Sequence, residues 1–219
     1  MLCIIQSRMS SNRLPGKMMI DLLGKSVISR VIERVLLSEK ITKIVVATSI
    51  QRNDDIIESF CKEKGIEFFR GDLDNVSDRF YKVLMIQNAK SFVRINGDSP
   101  LIDPKIIDFA IDKFNGSDYD IITNVFPRTF PKGQSVEAVR TDAFIRLIDS
   151  GLNSAQKEHV TKKFYDSPEN YKILNFNSGG DYNYINMCID NFSDKLRLEK
   201  VIEKAGHKEL SWIDLSKFF

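Results

Sequence analysis

A loop near the start of the chain gathers three cationic side chains on a turn of small residues. An apolar run, residues 1–5, leads into Arg8, Arg13 and Lys17, with a rigid Pro-Gly pair before the lysine. Exposed backbone N–H groups, fixed turn geometry and positive charge are what a protein needs to bind a polyphosphate. We therefore place the chemistry of this protein in residues 6–17, the basic loop.

Known phosphate-binding motifs do not describe the basic loop. Lys17 is followed by Met18, whereas the P-loop of NTPases has Ser or Thr there and an earlier glycine that is missing here. The G-x-G-x-x-G pattern is also absent. A solvated basic turn between a strand and a helix is the alternative interpretation. We favour ligand binding because the loop follows a strand, and ligands of open α/β sheets bind at the carboxyl ends of strands.

Two carboxylates follow apolar runs that are typical of strands. Asp98 comes after residues 92–96, and Asp190 comes after residues 186–189. If both strands point the same way, the two carboxylates converge beside the basic loop, where two hard oxygen ligands would hold Mg²⁺ against phosphate oxygens. The alternative is that both are helix caps or turn residues, the commoner role of Asp at strand ends.

Strand and helix patterns alternate in the first half of the chain. They predict an α/β fold with a mostly parallel twisted sheet and helices on both faces. The predicted strands here are 2–6, 43–48, 67–70 and 91–96, and the predicted helices are 26–37, 54–64, 75–88 and 105–114, the last with Asp103 as its cap and Pro104 as its first residue.

The second half of the chain is less regular. The predicted strands are 120–125, 135–139, 172–177 and 186–189, and the predicted helical stretches are 142–148, 155–165 and 193–205. A Pro-rich excursion at 126–133 interrupts them. We expect one domain, residues 1–219, in which about 126–170 forms an excursion that covers the crevice or meets a second subunit.

Composition excludes several classes of protein. A net charge of +2 over 219 residues is too small for a general nucleic-acid or membrane surface, so we expect neither partner. Cys3, Cys61 and Cys188 are an odd number without paired spacing, which predicts reduced thiols and a cytoplasmic protein. No apolar stretch approaches the length of a membrane span.

Six segments resemble the cytidylyltransferase family, which includes the synthetases of CMP-sialic acid and CMP-ketodeoxyoctulosonate and the spore coat polysaccharide protein F group. The last group is the most similar. The similarity runs in order over nearly the whole chain. The segments that carry it are Ser7–Lys17, Val46–Ser49, Phe69–Gly71, Ser77–Arg79, Arg94–Ile102 and Glu158–Thr161.

This resemblance implies a GT-A-like fold of the nucleotide-diphospho-sugar transferase type, CTP as donor, Mg²⁺ as cofactor and a homodimer. The implied reaction transfers CMP to a sugar acid and releases pyrophosphate. Arg8, Lys17 and Asp98 would be catalytic, and Asp98 and Asp190 would bind the metal. The implied nucleotide-binding residues are Arg8, Ser10, Ser11, Arg13, Lys17, Thr48, Ser49, Ser77, Asp78, Arg79 and Gly97.

Recognition of a small-molecule acceptor must come from the second half of the chain, because a sugar needs several hydrogen bonds and an acid needs a cation. Where the related group reads Gly-Leu-Asp-Val-Glu, this chain has Ser135 in place of the acid, which leaves the acceptor open. Arg128 and Lys132 are cationic candidates. The predicted acceptor-binding residues are Asn124, Gln134, Glu137, Glu158 and His159.

Three other functions remain open from the sequence. A cytidylyltransferase could use a phosphorylated or phosphonate acceptor and form a CDP-type product. A nucleotide-binding regulatory protein would keep the fold without catalysis. A glycosyltransferase would need an Asp-x-Asp metal motif; Asp118 and Asp120 have that spacing but precede a strand, so we interpret them as a turn.

Overall fold

The structure is a computed structural model that describes residues 1–206, 208 and 210–219. Within these residues seven strands form one sheet: β1 Leu2–Gln6, β2 Lys43–Ser49, β3 Glu67–Gly71, β4 Ser91–Asn96, β5 Ile121–Thr123, β6 Glu137–Arg140 and β7 Ile173–Asn175. Their order across the sheet is β3-β2-β1-β4-β6-β5-β7.

Strand direction brings the predicted site residues to one edge. β1 pairs in parallel with β2 and β4, with Gln6 opposite Ala47 and Asn96. β3 and β7 also pair in parallel with their neighbours, and β6 alone runs in the opposite direction. Carboxyl ends of parallel strands lie at the same edge, so the basic loop after β1 lies beside Gly97 and Asp98 after β4. The predicted mostly parallel sheet is confirmed.

Helices cover both faces of the sheet. Three helices, α1 Val27–Leu36, α2 Asp55–Lys64 and α4 Pro104–Phe114, pack on one face, and α3 Val76–Gln87 and α5 Thr141–Asp149 pack on the other. The apolar residues of β1 alternate between the two buried clusters that result. Asp103 caps α4 and accepts a hydrogen bond from the Lys105 N–H, as predicted. The remaining α-helices of the described residues are α6 Ser154–Glu158, α7 Lys162–Asp166, α8 Phe192–Ala205 and α9 Trp212–Ser216.

The predicted strand at 186–189 is wrong. Asn186 forms only an isolated bridge with Lys132. Ile185, Met187 and Ile189 are buried in alternation, as in a strand, but they pack against α8 and α9 in a third apolar cluster. This segment still ends beside the basic loop, because the Ile189 N–H donates to the Asp98 carbonyl over 3.0 Å.

Other elements differ in extent from the prediction. The helical stretch at 155–165 is broken into α6 and α7, since His159 leaves the helical conformation and Val160 turns into the core. Strand β5 is shorter than predicted, and α9 was not predicted. Strand β6 and helix α5 lie within the range 126–170 but belong to the central sheet and its covering layer.

No helix of the described residues combines the length and apolar character that crossing a membrane requires.

Candidate active site

One buried carboxylate holds the basic loop in place. Asp54 is 1% exposed, and its Oδ1 accepts a hydrogen bond from the Met9 N–H over 2.7 Å. Its Oδ2 accepts from the Ser49 N–H over 3.0 Å and from the Ser49 hydroxyl. The loop closes where the Gly16 N–H donates to the Met9 carbonyl over 3.0 Å, at a positive φ of 75° that favours glycine. Asp54 thus ties the loop to the carboxyl end of β2.

A cavity of about 300 Å³ lies between the basic loop and the end of β4; we call it the loop cavity. Gly97 belongs to its wall, and a Cβ at that position would lie 2.8 Å from the Gln6 carbonyl oxygen and 3.1 Å from the Met18 sulfur. The backbone therefore reaches the cavity only because this residue is glycine. The lining residues are Gln6, Arg8, Ser10, Ser11, Asn12, Arg13, Lys17, Met18, Asn96, Gly97, Asp98 and Asp190.

Lys17 joins the two predicted metal ligands. Its Nζ lies 2.7 Å from Asp98 Oδ2 and 3.2 Å from Asp190 Oδ1, and its side chain is 11% exposed. Burial alone would lower the pKa of Lys17, but the charges and hydrogen bonds of Asp98 and Asp190 outweigh burial and raise it. The ammonium is therefore charged. The predicted convergence of Asp98 and Asp190 beside the loop is confirmed.

The two arginines of the loop also face carboxylates. Arg8 pairs with Glu158 over 2.6 Å, and Arg13 pairs with Asp190 over 3.1 Å. The hydrogen bond from Arg8 holds the pKa of Glu158 below its usual range. Arg13 is 68% exposed, so its pair is weak. Every cation of the loop thus has an internal counterion.

The donor set fits a small divalent cation. Asp98 and Asp190 contribute hard carboxylate oxygens to one cavity, and both already contact a single positive charge. Among the described residues no three His, Cys, Asp or Glu side chains form a metal-binding group. Mg²⁺ retains several waters and requires only one or two carboxylates, whereas Zn²⁺ takes three or four protein ligands. The arrangement therefore suits Mg²⁺ better than Zn²⁺.

Arg79 is buried behind the basic loop, and two of its nitrogen atoms have no hydrogen-bond partner. It is 0% exposed, and its Nε and Nη2 have no hydrogen-bond partner, while its Nη1 reaches the Ala47 carbonyl at 3.5 Å. Burial, together with the charge of Arg8, lowers its pKa to about 10. Gly71 leaves the space for this side chain, because a Cβ there would lie 2.5 Å from Arg79 Cγ. The hydroxyl of Thr48, also buried, lacks a partner as well.

A second cavity, of about 340 Å³, opens beside the loop cavity; we call it the Arg128 cavity. Asn96 lines both cavities. Because Asn96 ends β4, the sheet itself positions the boundary between them. The lining residues are Arg94, Asn96, Val125, Arg128, Ser135, Glu137, His159, Thr161, Lys162, Tyr165 and Asp166.

Glu137 is the centre of a hydrogen-bonded group in this cavity. It is 2% exposed; its Oε2 accepts from Arg94 over 2.5 Å and its Oε1 accepts from the Tyr165 hydroxyl over 2.5 Å. The same hydroxyl lies 2.9 Å from the Thr123 hydroxyl. Burial, and then the charge of Glu137, raise the pKa of Tyr165 well above its usual range. The phenol therefore remains protonated and fixes the wall of the cavity.

The model of the cytidylyltransferase family matches residues 2–208 of the chain. The chain belongs to this family. It is 32% identical over 216 residues to the spore coat polysaccharide biosynthesis protein SpsF of Bacillus subtilis (strain 168), a match that covers 94% of this chain and 88% of that protein. It is also 36% identical over 108 residues to the 3-deoxy-manno-octulosonate cytidylyltransferase of Syntrophotalea carbinolica, which covers 49% of this chain and 42% of that enzyme.

Solved structures agree with this assignment. A cytidylyltransferase from Leptospira borgpetersenii superposes with a TM-score of 0.93 at 29% identity, covering 98% of this chain and 91% of the other. A CMP:2-keto-3-deoxy-manno-octonic acid synthetase complexed with CTP superposes with a TM-score of 0.70 at 16% identity, covering 94% and 99%. The predicted nucleotide-diphospho-sugar transferase fold and the predicted family are confirmed.

The loop cavity is lined by six of the eleven predicted nucleotide-binding residues. Ser49 is engaged with Asp54, and the Ser77 hydroxyl donates to the Gln156 carbonyl over 3.0 Å. Asp78 pairs with Lys82 over 2.7 Å. Like Thr48 and Arg79, these residues are not in the lining of the loop cavity, and Ser77 and Asp78 line a separate cavity. Their predicted contact with nucleotide stays a prediction.

Two predicted acceptor-binding residues instead make hydrogen bonds within the protein. Asn124 Nδ2 donates to the Gln134 carbonyl over 2.7 Å, and its Oδ1 accepts from the Val136 N–H over 2.9 Å. The side chain of Gln134 bonds the Asp103 N–H and the Leu101 carbonyl. Both residues are 0% exposed. Their polar atoms are used internally and neither residue lines the two cavities, so the predicted acceptor contact of Asn124 and Gln134 stays a prediction.

Of the three remaining predicted acceptor residues, two line one cavity and the third lines neither. Glu137 and His159 line the Arg128 cavity. Glu158 is outside both linings and pairs with Arg8. This ion pair links the basic loop to the last residue of α6, which directly precedes His159 in the sequence.

Sequence reasoning missed four residues of this site: Asp54, Arg94, Asn96 and Tyr165. A signal existed for Arg94, because a charged residue stands in the apolar run of a central strand. Asn96 could have been identified from its place as the last residue of the same predicted strand. Asp54 looked like the start of a helix, and the partner that makes Tyr165 important is 28 positions away in the sequence. Only the fold reveals these last two.

Proposed function

We propose that this protein transfers CMP from CTP to an oxygen of a sugar acid and releases pyrophosphate, as a step in making a surface polysaccharide. One observation carries this proposal: Lys17 holds Asp98 and Asp190 together in a cavity that also contains Arg8 and Arg13. The family and its named relatives support cytidylyl transfer, since one is a 3-deoxy-manno-octulosonate cytidylyltransferase and another a polysaccharide biosynthesis protein.

The loop cations neutralise the charge that develops on the leaving pyrophosphate. An acceptor hydroxyl oxygen attacks the α-phosphorus in line, and its bond to phosphorus forms as the bond to the bridging oxygen breaks. The electron pair of the broken bond leaves with pyrophosphate, the hydroxyl proton passes to solvent, and no protein nucleophile is required. Arg8, Arg13 and Lys17 bind the phosphates in place of their present carboxylate partners. Lys17 acts most strongly because it is nearly buried, where charges interact more strongly than in water.

Asp98 and Asp190 would hold Mg²⁺ beside the phosphates. A bound Mg²⁺ supplies positive charge to the phosphate oxygens and makes the α-phosphorus easier to attack. The side chain of Lys17 would then turn from the two carboxylates towards the phosphates. The carboxylates supply the negative charge that balances the metal.

Arg79 is the group we propose to select the base. The Watson–Crick edge of cytosine offers two adjacent acceptors, a carbonyl oxygen and a ring nitrogen, and a guanidinium offers two adjacent donors in a fixed fork. The Nε and Nη2 atoms of Arg79 are buried donors without partners. A base that accepts hydrogen bonds from both atoms would remove the free-energy cost of burying unpaired donors in the ligand-free protein.

The acceptor would occupy the Arg128 cavity. Asn96 lies between the two cavities, so an acceptor oxygen beside Asn96 would face a phosphate held near Asp98. Glu137 and His159 remain the predicted residues that line this cavity.

Pyrophosphate release from each of the four NTPs tests this function. It is measured with Mg²⁺ against 2-keto sugar acids, sugar phosphates, polyol phosphates and phosphonates. Asp98→Asn should lower the rate with CTP about a hundredfold, on the order of 3 kcal/mol. Asp118→Asn is the matched control, because Asp118 is exposed and pairs with Lys172 at the amino end of β5, away from both cavities.

The outcomes separate the open functions. Release with CTP and one acceptor, lost in Asp98→Asn only, supports the transferase. Equal loss in Asp118→Asn would show that the effect is not specific to the proposed metal site. CTP binding without release from any acceptor would favour a regulatory protein, and no binding of CTP would refute the proposal.

We also propose that the protein works as a homodimer in the cytoplasm. Phe192 and Leu196, one turn apart on α8, are 62% and 46% exposed, which supports a contact with a second copy. The free thiols of Cys3, Cys61 and Cys188 support a reducing compartment. Light scattering during gel filtration tests the dimer, and a monomer at micromolar concentration would contradict it.

A further inference from the structure

The Arg128 cavity has one cation more than it has carboxylates. Arg94 is neutralised by Glu137 at 2.5 Å, and Lys162 is neutralised by Asp166 at 2.7 Å. Among the described residues no carboxylate forms an ion pair with Arg128. The charged side chains of the cavity therefore leave one uncompensated positive charge, and it lies on Arg128.

The guanidinium of Arg128 is held by a neutral oxygen. Its Nη2 donates to the Ser135 hydroxyl over 3.0 Å, and its Nη1 is buried without any partner. Burial lowers the pKa of Arg128, although the nearby Glu137 opposes this effect. Both oxygens of Glu137 already accept from Arg94 and Tyr165. A buried charged donor without an acceptor costs free energy, which a ligand oxygen would recover.

We propose that Arg128 binds a single negative charge on the acceptor, and that Ser135 leaves Arg128 free to do so. This inference rests on the proposed function and narrows it to acceptors with one carboxylate. A carboxylate carries one charge and matches one guanidinium in a bidentate pair. A phosphate monoester carries about −1.5 to −2 at neutral pH and would remain partly uncompensated in this cavity.

Ser135 determines this preference through its own lack of charge. An aspartate at this position would place a carboxylate where the hydroxyl now lies, 3.0 Å from the guanidinium. Arg128 would then have an internal counterion and the cavity would be neutral. An asparagine has the same shape and can accept the same hydrogen bond, but it leaves the charge of Arg128 available.

The test compares Ser135→Asp with Ser135→Asn. Calorimetry measures binding of 3-deoxy-D-manno-octulosonate, N-acetylneuraminate and their methyl esters, with and without the unreactive α,β-methylene analogue of CTP. We expect an acid to bind the wild-type protein at least tenfold more tightly than its ester. Ser135→Asp should weaken binding of the acid about ten- to a hundredfold, and much more than Ser135→Asn does. Arg128→Gln should behave like Ser135→Asp.

Turnover gives a second, independent readout. With the acid that supports pyrophosphate release, Ser135→Asp should raise the KM for the acid while kcat changes less, and the affinity for the CTP analogue should stay within twofold of wild type. The urea midpoint of each variant shows that it is folded.

Several results would overturn the inference. They are equal binding of acid and ester, failure of both acids to bind the wild-type protein, equal effects of the two Ser135 variants, or turnover of a sugar phosphate but not of a sugar acid. In each case, if the CTP analogue still binds, the result would refute this inference but not the proposed cytidylyl transfer. Failure of the analogue to bind would refute the proposed function instead.

Discussion

Replacing Arg79 with methionine should make the ligand-free protein more stable and weaken its binding of CTP. Two buried donors of Arg79, Nε and Nη2, lack partners, and each such group costs about 1–3 kcal/mol. The pKa of Arg79, about 10, indicates a free-energy penalty of similar size. Its lowering from the ordinary arginine value corresponds to about 3 kcal/mol against the charged form. Methionine removes this penalty and keeps most of the apolar stem, although a small cavity costs about 1–2 kcal/mol.

We therefore expect the free energy of unfolding to rise by about 1–2 kcal/mol, measured by urea denaturation at pH 7. The pKa of Arg79 is lower in the folded state than in the unfolded state, so the penalty is complete below pH 10 and is relieved as the pH rises through that value. The advantage of the variant should shrink accordingly above pH 10. In the same variant the affinity for CTP should fall at least tenfold by calorimetry.

Arg70→Met is the matched control. Arg70 on the neighbouring strand β3 is fully engaged: it pairs with Asp55 at 2.7 Å and with Glu58 at 2.5 Å, and it donates to the Ser49 carbonyl. Its loss should destabilise the protein and leave CTP affinity unchanged. If Arg79→Met is less stable than wild type and binds CTP equally well, then Arg79 is a structural residue and the proposed base contact is wrong.

Three further substitutions test the remaining structure. Asp54→Ala should lower the free energy of unfolding by about 3 kcal/mol and weaken CTP binding, because the Met9 and Ser49 N–H groups lose their acceptor; urea denaturation and calorimetry measure both. Glu158→Gln should tighten CTP binding up to about fivefold by releasing Arg8, and weaker binding would contradict this. Tyr165→Phe should lower stability by about 2 kcal/mol at pH 7. Since the pKa of Tyr165 is raised on folding, wild-type stability should fall as the pH rises above the ordinary tyrosine range, and this loss should be smaller in Tyr165→Phe.

The sequence predicted the part of the site that local pattern and strand direction determine. Basic residues after the first strand and acids after β4 had to meet, because parallel strands end at one edge of the sheet. Asp190 shows the limit of this reasoning. It reaches the same cavity from an extended segment that is not a strand, and the alternating burial of Ile185, Met187 and Ile189 reflects packing on α8 instead.

The acceptor side could not be predicted as well, because the roles there depend on contacts between distant residues. Asn124 and Gln134 look like sugar ligands in the sequence, yet each closes hydrogen bonds within the wall. Nothing local shows that their polar atoms are used. Conversely, the proposed role of Arg128 depends on carboxylates that pair with other cations, and such a charge balance exists only once the chain has folded.

Binding of nucleotide in the proposed site would be an exchange of ion partners, because its cations already face carboxylates. Lys17 and Arg13 face carboxylates at 2.7–3.2 Å, so phosphates compete with groups that are already present. This competition lowers affinity for any anion that cannot also satisfy Asp98 and Asp190. A metal-bound triphosphate can satisfy them, because it carries both signs of charge, whereas inorganic phosphate alone cannot. In the proposed function, the same carboxylates that would weaken binding of free anions would thus favour the complex of nucleotide and metal.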